Sequence, residues 1–274
     1  MSRITECFAK LKSQGKTVLI PFITAGDPQP EVTVPLMQEL VTSGADILEL
    51  GIPFSDPMAD GPVIQKANER ALANGMTLRD CLDLVHNFRT VNTQTPIILM
   101  GYLNPIEVMG YNNFAQQALL AGVDGVITVD IPPEESAELL TALRSVAIDS
   151  IYLIAPTSTP ERIQRICAVA RGFVYYVSMR GVTGALHLDL QEVTNRLNII
   201  RKLTTLPIGV GFGIKDSDTA ARMASVADAV VVGSAIVRQI ENLKDQPDKI
   251  LEVIGAFLRD LRTVLDTTQK ANLF

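Results

Sequence analysis

The segment Glu49 to Gly61, ELGIPFSDPMADG, carries two carboxylates in different settings. Glu49 lies in an apolar run, ILEL, whose alternation puts it on the opposite face from Leu48 and Leu50. If the leucine face meets a covering layer of helices, Glu49 points inward, where a carboxylate is costly unless it has a role or a partner. No lysine or arginine lies obviously beside it, and burial would lift its pKa towards the working range of a general acid and base. Asp60 follows eleven residues later, on a turn-rich loop that can return it to the same mouth. Two acids in such unlike surroundings can separate their pKa values and divide acid from base work. Ala-Asp-Gly is also good turn sequence, so Asp60 has an ordinary reading as a turn former, as has Asp56.

Elements must hold these groups in place. Short apolar, β-branched runs predict strands at 18–23, 47–50, 97–100, 125–129, 150–154, 173–177, 207–211 and 229–232, with helical spacing between them. Strands with few polar residues on either face suit a parallel sheet covered by helices. An open doubly wound sheet would want G-x-G-x-x-G after its first strand, where this chain has TAGDP. The expectation is one domain over 1–274, an α/β (β/α)8 TIM barrel with additional short helices. Pro35 is tolerable only near the first turn of its helix. Pro-Pro-Glu-Glu at 132–135 predicts a turn into a helix with the acids in its first turn. Ile250, Ile254, Phe257, Leu261 and Val264 predict a buried stripe at the carboxyl end.

In such a barrel, residues after each strand's carboxyl end share one face. That face gathers Phe22, Glu49, Asp60, Met100, Asp130, Tyr175, Thr183, Gly184, Phe212, Gly213, Gly233 and Ser234. The loops after the last two strands commonly form a phosphate cup. Gly213 and Gly233 would leave backbone N–H groups unobstructed, and Ser234 would stand at a helix amino terminus. Gly184 offers a further backbone contact or a hinge, and Thr183 ordinary turn chemistry. Of the adjacent tyrosines, Tyr175 is expected to face the barrel and Tyr176 the helices. Phe22, Met100 and Phe212 suit either an apolar part of a substrate or core packing. Asp130 could serve catalysis, a cap or a partner contact.

The remaining composition narrows the classes. A formal charge of −6, with no basic run interleaved with aromatics, argues against nucleic acid. Cys7, Cys81 and Cys167 are odd in number and set among apolar residues, which suits buried thiols in a reducing compartment. With only His86 and His187 and no ligand cluster, a metal site is not expected. No membrane span and no signal peptide are expected either. None of the nine lysines sits on an inward strand position, as a Schiff-base aldolase would need. Any C–C cleavage should therefore run on carboxylates.

PFITAGDP at 21–28, LELGIPFSDPMADGPVIQ at 48–65, YYVSMRGVTGA at 175–185, VGFGI at 210–214 and VVGSAIV at 231–237 occur together and in order. On these motifs the chain resembles the tryptophan synthase alpha subunits, from about residue 4 to residue 265. The resemblance implies cleavage of indole-3-glycerol phosphate to indole and glyceraldehyde 3-phosphate. It implies Glu49 and Asp60 as catalytic acids, with Tyr175 beside the glutamate. Thr183 would lie on a mobile active-site loop at 178–188 that closes the site. Gly184, Gly213, Gly233, Ser234 and Ala235 would bind the phosphate, and Phe22, Met100 and Phe212 would line the indole pocket. Met100 stands where the family commonly has Leu, and SMRGVTG departs from the usual loop pattern while keeping Thr-Gly. Pro53, Asp56, Asn104 and Pro105 would face a beta subunit in an α2β2 heterotetramer. No cofactor is implied in this chain, since pyridoxal phosphate belongs to the beta subunit. The implied location is the cytoplasm, or the plastid stroma in a plastid-bearing source. A free-standing indole-glycerol-phosphate lyase, another phosphosugar barrel such as an isomerase, and a non-catalytic regulatory subunit are the alternatives.

Overall fold

Eight strands, β1 (Val18–Thr24), β2 (Leu48–Gly51), β3 (Ile97–Gly101), β4 (Gly125–Thr128), β5 (Asp149–Ile154), β6 (Val174–Val177), β7 (Ile208–Gly211) and β8 (Ala229–Val232), follow one another around a closed barrel. All neighbours are parallel, and β8 returns to β1 with Val18 opposite Ala229. The computed structural model describes residues 2–177, 190–211 and 213–268. The predicted (β/α)8 barrel is the observed fold.

Alternation along each strand sorts side chains into two layers. Leu48, Leu50, Leu99 and Tyr176 join the larger core between strands and helices. Ile20, Ile98, Ile127, Ile151 and Tyr175 fill the barrel itself. The base is closed by α1 (Arg3–Ser13), whose Ile4, Phe8 and Leu11 recur at helical spacing and pack among those interior residues. Phe8 meets Phe173 with ring centroids 5.4 Å apart. Burying a phenylalanine of this kind is worth about 2 kcal/mol. Arg3 donates to Asp124 at 2.7 Å and Ser2 donates to Asp149, which fixes the plug across the amino-terminal ends of β4 and β5. The carboxyl-terminal end is thereby left as the open one.

The outer layer contains α2 (Pro30–Thr42), α3 (Pro62–Ala73), α4 (Leu78–Arg89), α5 (Leu103–Met109), α6 (Tyr111–Ala121), α7 (Ala137–Ser145), α8 (Pro160–Val169), α9 (Leu190–Arg201), α10 (Ser217–Ala224), α11 (Ser234–Asn242) and α12 (Ile250–Thr267). Among the described residues no helix is long and apolar enough to cross a membrane.

Three local expectations need correction. Pro30 takes the first turn of α2, so Pro35 falls inside the helix, and buried Leu36, Met37 and Leu40 carry the helix past the missing N–H. The acids of 132–135 do not enter a helix. Glu134 instead pairs with Arg162 and Arg165 of α8, at 3.2 and 3.1 Å, and α7 starts only at Ala137. On α12 the buried stripe runs through Ile250, Ile254, Leu258, Leu261 and Leu265; Phe257 and Val264 lie at its margin.

Candidate active site

Glu49 is the second residue of β2, and its side chain points into the barrel with 2% of the residue exposed. Its Oε1 is buried without a hydrogen-bond partner among the described residues. Burial, reinforced by the negative charge of Asp60, pushes the carboxyl up to about 8. Glu49 is thus a protonated acid at neutral pH that can give a proton and take one back. Tyr175 shares the chamber: burial first, and then the Glu49 charge, raise its hydroxyl well above the ordinary value. Gly211, the last residue of β7, leaves the room this tyrosine occupies, since a Cβ there would lie 2.1 Å from the Tyr175 hydroxyl.

Asp60 is carried by the loop between β2 and α3. Its own N–H donates to Pro57 at 3.0 Å, and Gln65 donates to its backbone carbonyl at 2.9 Å. The carboxylate is held through Oδ2, which accepts from the Tyr102 hydroxyl at 3.2 Å and from Asn68 Nδ2 at 3.4 Å. Burial raises the Asp60 pKa, while these two hydrogen bonds favour the charged form and oppose the rise.

An apolar wall faces the acids. Phe22 pairs in register with Glu49 across β1 and β2, and its ring packs with Ala67, Val237, Met100 and Ile64. Gly51 makes space for that ring, because a Cβ there would lie 2.6 Å from Phe22 Cζ. Behind Phe22 is the cup: a Cβ on Gly233 would lie 3.5 Å from Phe22 Cβ. Gly233 immediately precedes α11, whose first residue Ser234 is exposed and whose second, Ala235, is half-buried. The first N–H groups of a helix lack intrahelical acceptors and can receive an anion. Gly213 adds a backbone with φ +77°, a conformation that favours glycine. An ion-paired clamp ties the loop after β1 to α3 and α11. Arg70 of α3 donates to both Asp27 carboxylate oxygens at 2.7 and 3.0 Å and reaches Glu241 of α11 at 3.4 Å.

The fold brings Phe22, Glu49, Asp60, Met100 and Tyr175 together, with Gly213, Gly233, Ser234 and Ala235 on the same carboxyl-terminal end. Thr183, Gly184, Phe212 and the 178–188 loop lie outside the described residues. Asp130 is a cap, accepting the Leu103 N–H at the start of α5 at 2.8 Å. Asp56 and Asn104 are exposed and Pro105 partly so, whereas Pro53 is buried in the isolated chain. Sequence reasoning passed over Tyr102 and Asn68. Tyr102 directly follows β3, so the strand-end rule that selected Met100 also covered it. Asn68 had a fainter signal, a polar residue between Ala67 and Ala71 on the buried side of α3.

This geometry agrees with comparisons to known proteins. The tryptophan synthase alpha chain family model matches residues 8–265. The chain is 58% identical over 269 residues to the tryptophan synthase alpha chain of Nitrosococcus oceani, covering 98% of this chain and 99% of that one. It is 59% identical over 265 residues to that of Chromobacterium violaceum, covering 97% of this chain and 100% of that one. The crystal structure of tryptophan synthase subunit alpha from Legionella pneumophila superposes with a TM-score of 0.90 at 48% identity, covering 97% and 99% of the two chains. The chain belongs to the tryptophan synthase alpha chain family.

Proposed function

We propose that this chain cleaves indole-3-glycerol phosphate to indole and glyceraldehyde 3-phosphate by a retro-aldol reaction in which Glu49 and Asp60 divide the proton chemistry. The observation that carries the reading is a buried Glu49 carboxyl, its Oε1 without a hydrogen-bond partner among the described residues, with the Asp60 charge acting on it and the apolar cluster of Phe22 beside it. Glu49 delivers its proton to indole C3, which turns the ring into an electron sink. Asp60 accepts the ring N–H and stabilises the positive charge that develops on nitrogen. The glycerol C3′ hydroxyl then returns a proton to Glu49 and the C–C bond breaks. Its electron pair restores the indole ring, and the former alcohol carbon leaves as the aldehyde. Phe22 and Met100 hold the ring, while the backbone of Gly213, Gly233 and Ala235 and the Ser234 hydroxyl hold the phosphate. Binding the distant phosphate orients the diol against Glu49.

The partner reading extends the family membership: an α2β2 complex with a pyridoxal-phosphate-dependent beta subunit, docked around Pro53, Asp56, Asn104 and Pro105. The test is indole release from indole-3-glycerol phosphate by the purified chain, alone and mixed with a beta subunit. E49Q and D60N should each lose most turnover while retaining the wild-type circular-dichroism spectrum. Substantial cleavage by either variant removes the assigned roles. Strong activation on mixing supports the complex, and full activity of the chain alone favours a free-standing lyase.

A further inference from the structure

We propose that Tyr102 is a positioning residue, the group that aims the Asp60 carboxylate at the ring nitrogen. The inference rests on Asp60 being the acceptor of the substrate N–H, as assigned above. Asp60 belongs to a loop, and a loop-borne acid needs an anchor on a rigid element to serve a reaction of fixed geometry.

Tyr102 supplies that anchor. It follows β3 directly, is 4% exposed, and stacks on Phe54 with ring centroids 4.9 Å apart and planes at 25°. Its hydroxyl accepts the Ala59 N–H at 2.9 Å and donates to Asp60 Oδ2 at 3.2 Å. A phenol has one proton, so with the amide hydrogen received from Ala59 its own is directed to the carboxylate. One side chain thereby fixes two consecutive loop residues. Asn68 Nδ2 approaches the same Oδ2, and Oδ1 makes no hydrogen bond among the described residues. The carboxylate is therefore held by one oxygen and offers the other.

The surrounding charges fit this role. Glu49 faces Asp60 from β2, Asn68 from α3 and Tyr102 from the end of β3; Asp130, at the end of β4, acts on Tyr102, and Tyr175 of β6 faces Glu49. Burial and the Asp60 charge raise the Tyr102 pKa, which keeps its proton available for donation.

The test is Y102F in the full-length chain, which keeps the ring and its stack and removes only the hydroxyl. Turnover should fall roughly ten- to a hundredfold, the range for one hydrogen bond to a charged group, with KM within about twofold of wild type. The Asp60 carboxyl, followed by carbon-13 NMR titration, should titrate about one pH unit higher, and the acid limb of the rate profile should move with it. An unchanged Asp60 titration overturns the proposal, as does lost turnover without that shift, which would mark a purely structural tyrosine. If wild type fails to cleave the substrate, the functional reading falls, while the titration still decides whether Tyr102 governs Asp60.

Discussion

Replacing Glu49 with Gln should make the protein more stable as it makes it inactive, by an amount that grows with pH. In the folded chain Glu49 titrates at about 8, against an ordinary value of 4.5. Below the lower value both folded and unfolded chains hold the proton, and the group does not affect folding. As pH rises further, the unfolded chain releases the proton while the folded chain keeps it, so folding weakens by about 1.4 kcal/mol per pH unit. The penalty reaches about 3 kcal/mol at pH 7 and levels off near 5 kcal/mol once the folded carboxyl ionises. Gln cannot ionise and escapes the penalty, although its buried amide brings a pH-independent cost of about 1–2 kcal/mol if it stays unpaired. The slope therefore carries the prediction. Urea unfolding of E49Q and wild type, followed by circular dichroism at about pH 5, 6, 7 and 8, should show a stability difference that climbs in favour of the variant. A flat difference would refute the raised carboxyl, and a difference that moves in favour of wild type would reverse its sign.

Breaking the clamp with R70A strands the Asp27 carboxylate, whose side chain is 0% exposed, and should cost about 3–5 kcal/mol in the same unfolding assay. Adding a methyl with G51A drives a Cβ to within 2.6 Å of the Phe22 ring. It should cost about 1–3 kcal/mol of stability and raise KM for the indole substrate, which steady-state kinetics would detect. S234A removes a hydroxyl from the cup and should raise KM several-fold, with kcat nearly unchanged if that contact is equal in ground and transition states.

The inward turn of Glu49 was legible because alternation is a local property. The flanking leucines of ILEL decide which way Glu49 points, and the same parity correctly turned Tyr175 inward and Tyr176 outward. Glycines after the last strands were legible because barrel connectivity assigns them to one end. The support for Asp60 was not. Tyr102 lies 42 residues from Asp60 along the chain, and their contact depends on how two loops lean together. The Asp27, Arg70 and Glu241 clamp spans 171 residues between its last two members, and no spacing rule links them. Pro35 misled because a second proline, Pro30, had already taken the tolerant position.

The sealed base of the barrel also orders events during synthesis. Ile4, Phe8 and Leu11 leave the ribosome well before Phe173, the ring that Phe8 meets, and before Asp124 and Asp149, which hold Arg3 and Ser2 of the same segment. Until those residues emerge, the leading helix has no socket and its greasy side stays open to other chains. A helix made early is thus among the last to be tucked away, so shielding of its apolar face is what a chaperone would supply to a growing copy of the protein.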